Sequence, residues 1–408
     1  MAKDTTNATM GTDTTCDVVI VGCGVAGLYA ALNLPRRLSI TMVCKEDLET
    51  CDSMLAQGGI CVMRDHDDYD SWFEDTMRAG HYENRPESVD TMIWSSREVI
   101  NDLIRMGVEF DHNIGGGLDY TREGAHSRSR IVHHADVTGK EITTKLLRQV
   151  RRLANVTIRE YVCMDDLLVG DDGQCLGIHA VGADGNELTI HAHDTILCTG
   201  GVGGNYARST NFPCLTGDGC RVAEAHGVQL DHMDYVQIHP TSLYTDKPGR
   251  AFLISESCRG EGAILLDASG SRFTDELQPR DVVSKAILDK MAEEGSKYVR
   301  LSFERVGTDE IKNHFSHIWQ HCLDEGYDIC REPIPVVPAQ HYLMGGIHVD
   351  QNSATTMPHL YAAGETSCNG VHGKNRLASN SLLESIVFAR LAARDVVRRR
   401  HQEWTQSR

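Results

Sequence analysis

Five short segments of this 408-residue chain set basic side chains beside imidazoles, amides or hydroxyls. They are Thr121-Arg122-Glu123-Gly124-Ala125-His126-Ser127, Gln237-Ile238-His239-Pro240-Thr241, Pro279-Arg280-Asp281, Pro338-Ala339-Gln340-His341-Tyr342 and Gly373-Lys374-Asn375-Arg376. Arginine can hold a carboxylate through two parallel N–H bonds, and histidine adds a directional donor. Brought into one site, such groups would clamp a small dicarboxylate. Taken singly, each is more simply a satisfied surface or core side chain, so only the joint pattern singles them out.

A second constellation points to a phosphate. The apolar, β-branched run 17–21 has the character of a buried parallel strand and ends in Gly22-Cys23-Gly24-Val25-Ala26-Gly27. Gly22, Gly24 and Gly27 fill the positions of G-x-G-x-x-G. The first permits a tight turn, the second lets backbone approach a pyrophosphate, and the third lets the helix expected at 25–34 pack on the sheet. The amides at that helix start favour an anion. The second strand, expected at 39–44, is followed by Lys45 and Glu46. Lys45 offers an ammonium to a phosphate or ribose, and Glu46 is the alternative ribose ligand. Beyond it, Ser53-Met54-Leu55-Ala56-Gln57-Gly58-Gly59 has the small residues that let backbone amides reach a planar, polar ring.

Hydrophobic periodicity supplies the elements that must position these groups. It predicts helices over 70–80 and 86–107, strands over 155–160 and 163–169, and a β-hairpin of 175–181 and 187–193 joined around Ala183-Asp184-Gly185-Asn186. Another buried strand, 194–198, runs into Thr199-Gly200-Gly201, and a strand at 359–363 ends in Gly364-Glu365. A last helix over 379–399 carries Leu382, Leu383, Ile386, Val387, Ala389 and Leu391. The expected architecture is therefore α/β. A discontinuous, Rossmann-like dinucleotide-binding domain takes 16–239 and 343–408, and a proline-interrupted α+β segment, 240–342, is inserted in it. The polar stretch 1–15 reads as a disordered lead.

Composition narrows the function. A formal charge of −18 argues against nucleic acid or an anionic membrane as partner, though local arginines can still recruit an anionic substrate. No apolar run is long enough to span a bilayer. The fourteen cysteines form no C-x-x-C and read as free thiols in a reducing cytosol. His314, His317 and His321 fall at i, i+3 and i+7 of an expected helix, but without a supporting carboxylate or cysteine, and no metal site is expected.

The ordered motifs GCGVAG, MLAQGGI, LDYTREGAHS, LCTGG, TGDG, VQIHPT, SESCRGEGAIL, PRD, PAQHYLMGGI, LYAAGE and GKNRLASNSLLE span nearly the whole chain. In this order the chain resembles the flavoprotein family of fumarate reductase and succinate dehydrogenase, and within it the aspartate-oxidising branch. The resemblance implies FAD, with its pyrophosphate at Gly22, Gly24, Val25, Ala26 and Gly27 and its adenosine near Lys45. It places the isoalloxazine against Ser53, Ala56, Gln57, Gly58 and Gly59 on one side and Ser381 and Leu382 on the other. Glu365 would hold the ribityl chain, with Asp218 of TGDG nearby. Residues 240–342 would cap the flavin. Asp52 stands where the membrane-complex relatives carry a flavin-linking histidine, which implies non-covalent FAD.

The same resemblance gives the substrate carboxylates to His239, Ser255, His341 and Arg376, with Gln237 in support, the acid/base role to Arg280, and the substrate amino group to Glu123. Ser255 takes a place where threonine is usual. The implied reaction converts L-aspartate to 2-iminosuccinate with O2 or fumarate as acceptor, the first step of NAD biosynthesis through quinolinate. A quinolinate synthase would then be the downstream partner and the cytoplasm the location. A soluble fumarate reductase or succinate dehydrogenase-type flavoprotein is the alternative. The C-terminal helical domain of many relatives is expected to be absent, because the sequence stops at Arg408.

Overall fold

Residues Thr12–Val21 form a strand near the middle of a seven-stranded sheet. The computed structural model describes residues 12–406. From one edge the strands run Val156–Arg159, Ile40–Val43, Thr12–Val21, Glu187–Leu197, Cys175–Gly182 and Val162–Val169, and Leu360–Ala362 also pairs with Glu187–Leu197. Parallel pairing sets Val21 opposite Val43 and Leu197, and Leu197 opposite Ala362. These four strands therefore finish at one level. The loops that leave them carry Gly22, Lys45, Thr199 and Glu365, at the carboxyl edge where open α/β sheets bind their ligands.

Several boundaries differ from the sequence reading. The first strand starts at Thr12, inside the stretch expected to be a disordered lead, because Thr12–Cys16 pairs with the Leu188–Ala192 part of its neighbour. Residues 1–11 of that lead lie outside the described residues. The strands expected at 187–193 and 194–198 are one continuous strand, Glu187–Leu197. No glycine or proline interrupts it, and Asp194 is fully buried with its carboxylate on His193 at 2.9 Å.

Helix Val25–Asn33 buries one side on the sheet and packs against the last helix, Ser381–Gln406. That helix starts later than expected because Ser379 sits at φ 60°, outside helical backbone. It also continues past Arg399, where Asp395 receives Arg399 Nε at 2.7 Å. No described helix is long and apolar enough to cross a membrane.

The inserted segment has its own sheet and its own core. Strands Val236–Leu243, Ile334–Leu343, Val299–Ser302 and Ile264–Leu266 pair antiparallel in that order. Ile254, Leu265, Val283, Ile287, Leu301, Phe315 and Val336 fill the space behind them. This sheet begins at Val236, so the boundary read at 239/240 cuts a strand. Pro240 is accommodated because the register shifts between His239 and Ser242, which removes the ladder bond proline cannot donate. The helix expected to carry three histidines is two helices, Thr308–Asn313 and Ser316–Asp324. His314 lies between them, stacked on His133 at 4.3 Å, while His317 and His321 face Phe252.

Candidate active site

The glycine loop is shaped by contacts that exclude side chains. Gly22 takes φ 108°, and a Cβ there would lie 2.0 Å from Cys198 O. A Cβ on Gly27 would lie 2.0 Å from Gly22 O, which fixes how closely the helix approaches the turn. Gly24 caps the helix without a side chain, and Ser53 Oγ accepts from Val25 N at 3.1 Å. This links the first glycine loop to the segment expected to meet the flavin ring.

Lys45 and Asp218 meet in a recess at the end of the first two strands. Lys45 Nζ lies 2.8 Å from Asp218 Oδ2 and also donates to Cys214 O and Thr216 Oγ1, at 2.9 and 3.1 Å. Glu46, Cys23, Cys44, Cys51, Cys163 and Cys214 line the same recess. Asp218 therefore stands beside Lys45 in this recess, while Glu365 lines the larger neighbouring cavity. The two recesses meet at Cys51, Thr199 and Leu215.

The larger cavity fits a flat polar ring. Gly24, Val25, Ala26, Ser53, Ala56, Gln57, Gly58, Gly59, Ser381 and Leu382 all line it. A Cβ on Gly58 would approach Glu123 Oε1 to 2.5 Å, and one on Gly59 would approach Val132 O to 2.4 Å. Gln57 Oε1 and Asp52 Oδ2 are buried without a partner among the described residues, an arrangement that calls for a polar ligand. Asp52 Oδ1 accepts from Phe212 N at 3.0 Å, and burial raises its pKa. Glu365 accepts from Leu343 N at 2.9 Å, and burial together with the Asp52 charge raises its pKa too. Ser381 is the exception in this wall, because its hydroxyl is engaged by Arg376 Nη1.

Facing this floor is a basic wall built by the inserted sheet, the start of one helix and the loop before the last helix. Arg280 opens helix Arg280–Glu294, an unfavourable end for a cation, and Glu256 Oε2 offsets this at 2.5 Å from Arg280 Nε. Burial opposes ionisation of Glu256, but Arg280 and Arg259 outweigh it and hold its pKa below the ordinary value. Arg280 Nη1 donates to Gln237 Oε1 at 2.9 Å, and Arg376 Nε donates to the same oxygen at 3.3 Å. Gln237 Nε2 is held by Asn375 Oδ1 and Arg376 O, at 2.9 and 2.8 Å, so the amide orientation is fixed. Arg376 also lies over the Tyr342 ring, 4.3 Å from its centroid, and burial beside Arg280 lowers its pKa to about 10.

Two imidazoles complete the wall. His341 is the extra residue of a β-bulge, since Gln237 pairs Tyr342 while Ile238 pairs Gln340. The bulge turns its ring to within 5.1 Å of His239, centroid to centroid. His239 Nδ1 lies 3.2 Å from Thr241 N, and its Nε2 is buried with no partner among the described residues. Burial, then the neighbouring guanidiniums, lowers both histidine pKa values well below normal. Both rings are thus neutral, and His239 Nδ1 lies 3.2 Å from both Thr241 N and Thr241 O, so its tautomer follows the group that Nε2 meets in the cavity.

Glu123 and Ser255 also line this cavity. Glu123 Oε1 accepts from Ser257 Oγ at 2.8 Å, and Oε2 accepts from Ser379 Oγ at 2.5 Å. Burial raises its pKa, with the Glu256 charge adding to the effect. Ser255 caps helix Glu256–Gly260, its Oγ accepting from Ser257 N at 3.2 Å. Glu256, Ser257, Ser379, Thr210 and Arg259 escaped the sequence reading. Glu256, Ser257 and Arg259 sit in the quoted SESCRGEGAIL run, where an acid next to Ser255 was the available signal. Thr210, which contacts His341 Nδ1 at 2.6 Å, carried none.

Comparison with known proteins agrees with this geometry. A family model described as FAD binding domain matches residues 17–382. The chain is similar to an L-aspartate oxidase of Clostridium perfringens, with 49% identity over 93% of this chain and 86% of that protein. It is also similar to an L-aspartate oxidase of Synechocystis, with 44% identity over 91% of this chain and 69% of that protein. Among solved structures, a quinol fumarate reductase of E. coli superposes with a TM-score of 0.88 at 31% identity, over 95% of this chain and 71% of that one.

Proposed function

Because this chain belongs to the L-aspartate oxidase family of FAD-binding flavoproteins, we propose that its basic wall clamps L-aspartate against the Ser53–Gly59 floor. It is an FAD-dependent oxidoreductase, and its reaction is oxidation of L-aspartate to 2-iminosuccinate on the route to NAD. The assignment of residues to roles is our reading. Its main support is the pair of buried guanidiniums, Arg280 and Arg376, joined at Gln237 and open to the flavin-sized cavity.

In this reading Gly22, Gly24, Val25, Ala26 and Gly27 hold the pyrophosphate, and the Lys45–Asp218 pair borders the adenosine. Ser53, Ala56, Gln57, Gly58, Gly59 and Leu382 hold the ring, with Glu365 at the ribityl chain. FAD, when bound there, supplies the two-electron acceptor. Asp52 leaves it without a covalent tether, and residues 240–342 form the cap.

Arg376, His239, His341 and Ser255 bind the two carboxylates, and neutral imidazoles donate to them without adding charge. Glu123 receives the substrate ammonium. Its raised pKa suits it to take a proton from that group, leaving the neutral amine whose lone pair forms the C=N bond as the Cα hydride departs. Clamping both carboxylates fixes Cα for that transfer. With fumarate as acceptor, Arg280 delivers the proton; Glu256 holds it at 2.5 Å and in turn contacts Arg259 at 3.4 Å, so the pair orients the guanidinium.

The reading extends to a quinolinate synthase as consumer of iminosuccinate and to a cytoplasmic setting, supported by fourteen cysteines that are all free. Anaerobic addition of L-aspartate should bleach the bound flavin. Arg376→Leu should keep its flavin and lose the bleaching, and a flavin-loaded wild type that fails to bleach would refute the assignment.

A further inference from the structure

On the opposite edge of the nucleotide-binding sheet, three side chains from distant parts of the sequence converge. His193 comes from strand Glu187–Leu197, His359 from the turn before Leu360–Ala362, and Glu403 from the last helix. One ligand atom from each lies within 4.8 Å of the others. Behind them, Asp194 is fully buried and its oxygens face both imidazoles. Oδ2 lies 2.9 Å from His193 Nδ1, and Oδ1 lies 3.2 Å from His359 Nδ1. A carboxylate can only accept, so it draws a proton to each Nδ1 and leaves Nε2 as the atom each ring would offer to a metal ion.

Those Nε2 atoms face one carboxylate. His193 Nε2 lies 3.0 Å from Glu403 Oε2, and His359 Nε2 lies 3.9 Å from Glu403 Oε1. Neighbouring ligands on a tetrahedral zinc, with bonds of about 2.0–2.1 Å, stand about 3.3 Å apart. The two rings are edge to face, 4.8 Å between centroids. His359 takes φ 63°, a backbone conformation that a non-glycine residue adopts only when its surroundings require it. An open recess lined by His193, Arg400, Glu403 and Trp404 leads in from solvent. Arg400 contacts Asp194 Oδ2 at 3.5 Å and also pairs with Asp17.

We propose that His193, His359 and Glu403 form a binding site for a divalent zinc-like ion, with Asp194 orienting both histidines and water in the fourth position. Two nitrogens and one carboxylate, with the histidines held from behind, are the ligand set and support zinc uses. Its place in the fold gives it a mechanical part. It joins the end of the last helix to two strands of the sheet, well away from the residues assigned to aspartate. The site lies apart from the three histidines that the sequence placed on one helix.

The test uses the full-length, flavin-loaded protein titrated with cobalt(II), whose four-coordinate complexes absorb to the red of the flavin. The wild type should bind one equivalent with d–d bands that zinc abolishes. Glu403→Gln changes an exposed residue, and His359→Asn keeps a residue that tolerates the left-handed backbone. Each should weaken binding at least tenfold while flavin content and aspartate oxidation stay unchanged. Asp194→Asn, acting through the histidines, should weaken it about tenfold to a hundredfold. Zinc should raise Tm of the wild type and not of Glu403→Gln. Absence of saturable cobalt binding, or equal binding by the Glu403→Gln/His359→Asn double variant, would overturn the proposal and leave these contacts as ordinary ion pairs.

Discussion

Arg280 and Arg376 share one acceptor, Gln237 Oε1, at 2.9 and 3.3 Å. Two like charges are thereby held side by side in a buried wall, one delivered by the inserted sheet unit and one by the loop before the last helix. The amide oxygen satisfies a donor on each, Glu256 balances Arg280 from behind, and the remaining guanidinium donors are left for the substrate. Gln237→Glu would place an anion at that point and compete with the incoming carboxylate. We expect KM for aspartate to rise at least tenfold with flavin content unchanged, equivalent to about 1.4 kcal/mol. Steady-state kinetics on flavin-matched preparations decide it, and an unchanged kcat/KM would mean that this oxygen does not set the clamp.

Glu123 separates an amino-acid substrate from its dicarboxylate analogues, which lack the ammonium. Glu123→Gln keeps one acceptor, offers the other serine a donor that its rotatable hydroxyl can accept, and removes the charge. Loss of a charge-assisted contact of about 1.5–3 kcal/mol should cost aspartate oxidation roughly tenfold to a hundredfold. Fumarate reduction by the same preparation should fall far less. An equal fall in both half-reactions would make Glu123 a structural residue.

Asp52 offers no nucleophile for a stable flavin link. Acid or heat precipitation should therefore release all the yellow cofactor into the supernatant. Colour remaining with the denatured chain would contradict non-covalent binding.

Glu365 predicts how the flavin-free protein responds to pH. Its folded-state pKa is raised by burial and by Asp52, whereas in the unfolded chain a glutamate titrates near about 4.3. Between those values the folded state holds more protons than the unfolded state, so stability falls as pH rises. Tm of the flavin-free protein should drop by several degrees between about pH 5 and about pH 8, and Glu365→Gln should flatten that slope. An identical slope in the variant would place the proton uptake elsewhere.

The legible part of this protein was the part written in local spacing. The glycines of the first loop announce their turn because only glycine fits beside Cys198 O and Gly22 O. Gln237, Arg280 and Arg376 stood out as types suited to carboxylates, and the sheet brings them together. The sequence could not reveal pairings made across the fold. Lys45 meets Asp218, 173 positions away, so that aspartate lines the Lys45 recess, while Glu365 lines the adjoining cavity. Ser381 similarly serves Arg376. His341 owes its direction to a bulge, and His193, His359 and Glu403 meet only because a strand, a turn and a helix end arrive together.

The cysteines around the adenosine recess have a consequence for chemical durability. When O2 is the acceptor, the reaction yields hydrogen peroxide, and Cys51, Cys163 and Cys214 line a recess that joins the larger cavity at Cys51. Peroxide attacks thiolates, not thiols. Burial pushes Cys51 up to about 12 and raises Cys163 and Cys214 as well, so all three stay protonated at neutral pH. The recess is thus lined with sulfur that its own by-product oxidises only slowly, and the thiols can serve as packing atoms in an oxidase.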